Sequence, residues 1–274
     1  MDSGFSRRCV VDTNTVRQPE PFGTDHGVMH ELIVTGRSVG ADREFYSKLA
    51  HDSALFRQVV NFVNGNHSEG GTTTPEIAAE IMGRGFHGTD ALECHLGVKL
   101  SPKSKKLFLT VPFSAEVLQA CHETHVLVAC GALSLMDVWR VQTRLFYSNS
   151  DPWYGDSSKW FAHSKVKAGW QLVRKNPVPD SSRKTWDEQN QLLRQDEQVP
   201  SASVLTQAIL IHYLETGERL FEDIYVRCSD MDYDSDRVRL GHFDEDGLRV
   251  GYYWDGWDGN WGVVVGLSSS RKFS

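Results

Sequence analysis

The chain has 274 residues, 40% hydrophobic and 24% charged, with a net charge of −7. These proportions belong to a globular protein able to bury a sizeable core, and they exclude a collagen-like, low-complexity or wholly disordered chain. The acidic balance denies it a global basic field for nucleic acid, and no apolar run approaches the roughly 18 residues that cross a bilayer, so neither nucleic acid nor a membrane is expected as a partner.

The N-terminus, Met1–Arg8, lacks the apolar stretch of a signal peptide. Residues 1–42, with Pro19 and Pro21, read as an extended or partly ordered arm with one strand at Met29–Val34. Residues 43–104 read as a helical region. Phe45, Leu49, Phe56, Val60 and Val63 share one helical face, and Asn64-Gly65 stops it. His67–Thr73 is a polar segment rich in Gly and Thr. Thr74-Pro75 is then an N-cap followed by proline at the first helical position, and Gly83 ends that helix. A second short helix runs to Leu96, and Ser101–Lys106 is a basic turn.

Residues 105–274 read as an α+β domain continuous with 43–104. Leu107–Val111 is strand-like, Ser114 caps a helix through Cys121, and Val126–Cys130 is a buried strand, together a small βαβ element. A helix at Leu135–Leu145, an aromatic loop, a strand at Trp170–Arg174 and a polar helix at Thr185–Arg194 follow. Val204–Leu214, between Pro200-Ser201 and Gly217, has almost no polar face and belongs deep in the core. Last come short β runs, Ile224–Cys228, Val238–Phe243, Leu248–Trp254 and Val263–Leu267, separated by Asp/Gly clusters, the pattern of an antiparallel meander. The expected fold is α+β: a helical N-terminal half, the βαβ element, and the buried helix packed on the C-terminal meander.

Asp230, Asp232, Asp234 and Asp236 alternate in one turn and offer oxygens suited to Ca²⁺ or Mg²⁺. An EF-hand loop starting at Asp230 would need Gly at its sixth position and Glu at its twelfth. Those positions hold Ser235 and Gly241, so the turn reads as a solvated hairpin tip and no cofactor is expected. Trp257 and Trp261, beyond the strand that ends near Trp254, and Trp153 and Tyr154 in the loop Phe146–Phe161 are candidate stacking platforms for a ligand. Cys121, His122, His125, Cys94 and His95 lack the paired spacing of a zinc site and read as buried thiols beside surface histidines. Val10–Asn14 matches the first strand of PIN-domain nucleases over too few residues to count. Thr74–Gly97 has no basic recognition helix and reads as a plain helical hairpin. There is no phosphate-binding P-loop, no dinucleotide fingerprint and no nucleophile elbow. Five cysteines, an odd number and widely spread, suit reduced thiols in the cytoplasm.

The runs Leu109–Leu118, Thr124–Ala129, Leu145–Ser148, Leu172–Lys175, Thr185–Gln189, Thr216–Phe221 and Gly266–Lys272 together resemble a bacterial protein family of unknown function, over about residues 76–274. The resemblance implies a bacterial source and one recurring unit, and it carries over no functional residue. The sequence therefore points to a soluble, non-catalytic binding or interaction protein that uses exposed aromatics and acidic turns. The alternative is a metal-dependent hydrolase or nuclease with a carboxylate/His site.

Overall fold

The computed structural model describes residues 33–37, 40–53, 71–232, 236–253 and 265–272. The chain divides into two compact units, Met1–Asn66 and His67–Ser274. In the first, residues 33–37 are helical, so the strand expected to end at Val34 is corrected there, while 29–32 lie outside the described residues. Helix α1, Arg43–His51, follows. Asp42 caps it by accepting the Phe45 N–H at 2.8 Å, and no residue of α1 is buried.

The second unit begins with α2, Pro75–Met82, capped by Thr74 and ended by Gly83 as its sequence signals require. Strand β1, Phe86–His87, leads into α3, Thr89–Leu96. Then come α4, Ala115–Cys121, strand β2, His125–Cys130, and α5, Leu135–Val141, whose Ser134 and Asp137 form a capping box. Strand β3 is Gly169–Arg174, helix α6 is Trp186–Asn190, and β4 is Glu197–Gln198. The long helix α7, Ala202–Thr216, precedes β5, Tyr225–Met231, β6, Arg237–Asp244, β7, Gly247–Tyr253, β8, Val265–Leu267, and β9, Ser270–Arg271.

These strands form two sheets, ordered β1-β2-β3-β9-β4 and β7-β6-β5-β8. The fold is α+β, with β1 parallel to β2 and β5–β6–β7 an antiparallel meander. Two details differ from the sequence reading. The parallel pair begins at Phe86–His87, because Lys106–Phe108 is a 3₁₀ turn and Val111 makes only an isolated bridge to Thr73. Pro112, which has no N–H to give a ladder, follows that bridge at once. The last strand does not extend the meander: β8 lies parallel to β5 on its open edge, as a long connection permits and a tight turn does not. Ser268 and Ser269 then carry the chain from one sheet to the other. The Ser268 hydroxyl donates to Arg227 O at 2.6 Å.

Helix α7 touches strands of both sheets as well as α3 and α5. Its eleven residues from Ala202 to His212 are all buried, which explains the absence of a polar face. Its buried polar side chains are therefore obliged to find partners. Ser203 donates to Leu133 O at 2.7 Å and Thr206 to Ala202 O at 2.7 Å. Gln207 clasps one residue with both ends of its amide, accepting from Gly131 N at 2.8 Å and donating to Gly131 O at 3.3 Å. Ser201 caps the start, and Gly217 ends the helix in the left-handed region at φ +76°.

Candidate functional site

The C-terminal end of α7 gathers three imidazoles and two carboxylates. β1 places His87 against α7, where its Nε2 lies 2.8 Å from His212 Nδ1. His212 Nε2 is 3.2 Å from Glu218 Oε2. One turn along α7, Glu215 pairs with His95 of α3 at 2.5 Å. His87 and His212 are buried, whereas Glu218 reaches solvent. The nearby carboxylate favours the proton on His212 Nε2. His212 Nδ1 then accepts from His87 Nε2–H, and His87 Nδ1 is left as a buried lone pair without a partner among the described residues. Burial lowers the His87 pKa to about 3, helped by the neighbouring His212, His95 and Lys175. Burial also lowers the His212 pKa, against the opposing pull of Glu218. The pair is neutral at pH 7 and joins a solvated carboxylate to the interior.

Nothing in the local sequence announces this cluster, because its members come from four places between Gly83 and Arg219. The one sequence signal is His212 itself, a histidine beside Tyr213 in the otherwise aliphatic run Ile209–Leu214.

The acidic turn is used differently from the sequence reading. Asp232 and Asp236 are 4% and 7% exposed, so these two aspartates are corrected from solvated to buried, while the tip between them, 233–235, lies outside the described residues. The reason is that the described flanks of the turn meet other parts of the protein. Asp230 Oδ2 accepts the Ala202 N–H at 2.5 Å, placing its carboxylate at the positive end of α7. Burial nevertheless raises the Asp230 pKa, outweighing that hydrogen bond. Asp232 pairs with Lys159 at 3.3 Å and accepts the Asp236 N–H at 3.3 Å. Asp234 lies outside the described residues. Among those described, no group of three or more His, Cys, Asp or Glu is placed to hold a metal ion.

Lys159 also joins this turn to the aromatic loop, for its Nζ sits 5.5 Å from the Trp153 ring centroid. Trp153 is half-buried and donates its indole N–H to Val250 O at 3.0 Å. Tyr154 is 1% exposed, so its ring packs in the core and offers no platform to a ligand. Burial pushes its phenol pKa well up. Trp257 and Trp261 lie outside the described residues. Of the thiols and histidines read as buried thiols beside surface histidines, Cys94 is exposed and His125 buried, a second correction. His125 bonds through Nδ1 to the Thr124 hydroxyl at 2.8 Å, and burial lowers its pKa to about 3.

No protein-family model, curated protein or solved structure matches this chain.

One surface element remains. From Lys99 to Leu109 the chain exposes Lys99, Lys103, Lys105 and Lys106 beside Leu107, 52% exposed, and Leu109, 66% exposed. The element is pinned at both ends. Glu93 Oε1 accepts the Leu100 N–H at 3.2 Å, and Ser101 accepts the Ser104 N–H at 3.1 Å to start a short helix, Pro102–Lys105. At the other end Phe108 is buried edge-on against Trp170, centroids 5.8 Å apart, and the Trp170 indole donates to Phe108 O at 3.3 Å. With Phe108 held inward, its two leucine neighbours are held outward. Glu93 lies 3.5 Å from Lys105, whereas Lys99, Lys103 and Lys106 have no carboxylate within 4 Å among the described residues. The sequence reading saw a basic turn followed by a strand. Its missed signal is four lysines in eight residues running directly into Leu-Phe-Leu.

Proposed function

We propose that this is a binding protein that docks onto a partner through the element Lys99–Leu109. The reading keeps the class inferred from the sequence but moves the binding surface from the acidic turns and the Trp153–Tyr154 pair to a lysine–leucine turn. One observation supports it above the rest: Phe108 is anchored so that Leu107 and Leu109 stay in water beside three lysines with no carboxylate within 4 Å among the described residues. Exposed leucines scattered singly carry no message, but a rigid pair rimmed by one sign of charge fits an interaction surface. The buried, unpaired thiols Cys121, Cys130 and Cys228 fit the bacterial cytoplasm as the setting.

Lysine acetylation footprinting tests the proposal. Lys103 and Lys106 are expected to be protected in an extract of the source cells relative to the purified protein, while exposed Lys167 labels equally in both. Equal labelling of all three in both samples would sink it.

A second reading rests on the His87–His212–Glu218 line. Here the protein is a hydrolase in which the bare His87 Nδ1 takes a proton from the attacking water and His212 and Glu218 pass it to solvent. It requires that His87 open to solvent in the folded state. Carbethoxylation of His87 under native conditions, without unfolding, would support it, and complete protection would refute it.

A further inference from the structure

We infer that the partner of Lys99–Leu109 is an anionic lipid surface, on which Leu107 and Leu109 enter the headgroup–acyl boundary while the lysines sit over the headgroups. This inference rests on the docking reading above and names its partner class. It differs from a membrane span, since no helix among the described residues is long and apolar enough to cross a bilayer.

Three features select lipid over another occupant. The first is charge: Lys99, Lys103, Lys105 and Lys106 fall within eight residues of a chain whose net charge is −7, and among the described residues only the Glu93 carboxylate lies within 4 Å of any of them. A polybasic segment beside exposed apolar side chains is the combination that anionic bilayers retain, each signal alone being weak. The second is shape. The exposed leucines flank an inward anchor on a single turn, so they present two prongs in place of a groove that would seat a peptide helix or strand. The third is residue type. The cations of the element are all lysine, point charges suited to a diffuse layer of headgroups, with no arginine fork for bidentate recognition. The ring of the segment, Phe108, is buried and cannot stack on a base.

The experiment is co-sedimentation of the full chain with vesicles of phosphatidylcholine alone and of phosphatidylcholine with about one-third phosphatidylserine. The protein is expected to pellet with the anionic vesicles and to stay in solution with the neutral ones. Each lysine removed, in Lys103→Gln and Lys106→Gln, is expected to weaken binding about fivefold, and raising the salt to weaken it further. Leu107→Ser with Leu109→Ser is expected to release the protein at every salt concentration. These side chains are exposed, so the variants should melt within a few degrees of the parent, and melting curves check that they fold. No excess binding to anionic vesicles, or binding indifferent to both sets of substitutions, overturns the inference. If Lys103 and Lys106 are nevertheless protected in the extract, the lipid assignment fails while the docking reading stands. If they are unprotected as well, both fall.

Discussion

His87 and His125 are each held neutral by burial, with pKa values of about 3 in the folded protein. In the unfolded chain both return to the ordinary value near 6.5. Below pH 6.5 the unfolded state therefore binds more protons than the folded one, and stability falls as pH falls until the folded pKa is reached. Each histidine contributes a slope approaching about 1.4 kcal/mol per pH unit in that window. Between pH 6.5 and 5 ordinary carboxylates scarcely titrate, so the histidines dominate the slope there. Urea unfolding at pH 7, 6 and 5 should give a falling midpoint, and His87→Gln with His125→Gln should flatten the fall. Parallel slopes for parent and variant would contradict the assignment. None of this was legible from spacing. His125 sits beside Thr124 in a run of valine and leucine that did mark the strand, but what lies over a strand is decided by elements far away in sequence.

At the level of the element, α7 shows where local and distant information part. Ser201, Gly217 and the apolar run set its ends and its depth, and all three are sequence-local signals. Its partners are not local. Asp230 meets its first N–H from 28 residues away, and Gln207 clasps Gly131 from 76 residues away. The acidic turn was misread for the same reason. Alternating aspartates look like a wet tip until the start of α7 and Lys159 are brought up to them. The two kinds of contact should also differ in cost. Gln207→Ala strands the buried N–H of Gly131, whose C=O still accepts the Leu133 N–H at 2.8 Å, and is expected to cost about 2 kcal/mol. Ser201→Ala removes only a cap and is expected to cost about 1 kcal/mol. Chemical denaturation of the two variants would give this ranking, and a Ser201→Ala cost equal to or above that of Gln207→Ala would overturn the view that the amide clasp, more than the cap, fixes α7 in place.

Across the whole chain, the α+β class and most helix starts followed from caps, prolines and periodicity, whereas the pairing of β8 did not. An apolar run such as Val263–Leu267 states that a strand is buried without stating its neighbour, and β5 offered an edge that β7 did not win. The division into units has a thermodynamic consequence. Among the described residues, every member of the hydrophobic core, from Ala78 to Leu248, belongs to the second unit, while α1 in the first buries none of its residues. Cooperative unfolding reports the loss of a shared core. A chain beginning at His67 should therefore keep the main thermal transition, with a melting temperature within a few degrees of that of the full chain. Calorimetry of the two proteins decides the matter. A fragment that melts more than about 10 °C lower has lost about 3 kcal/mol or more on the scale expected for a domain of this size. That outcome would mean that residues 1–66 stabilise the second unit, and that its core does not close on its own.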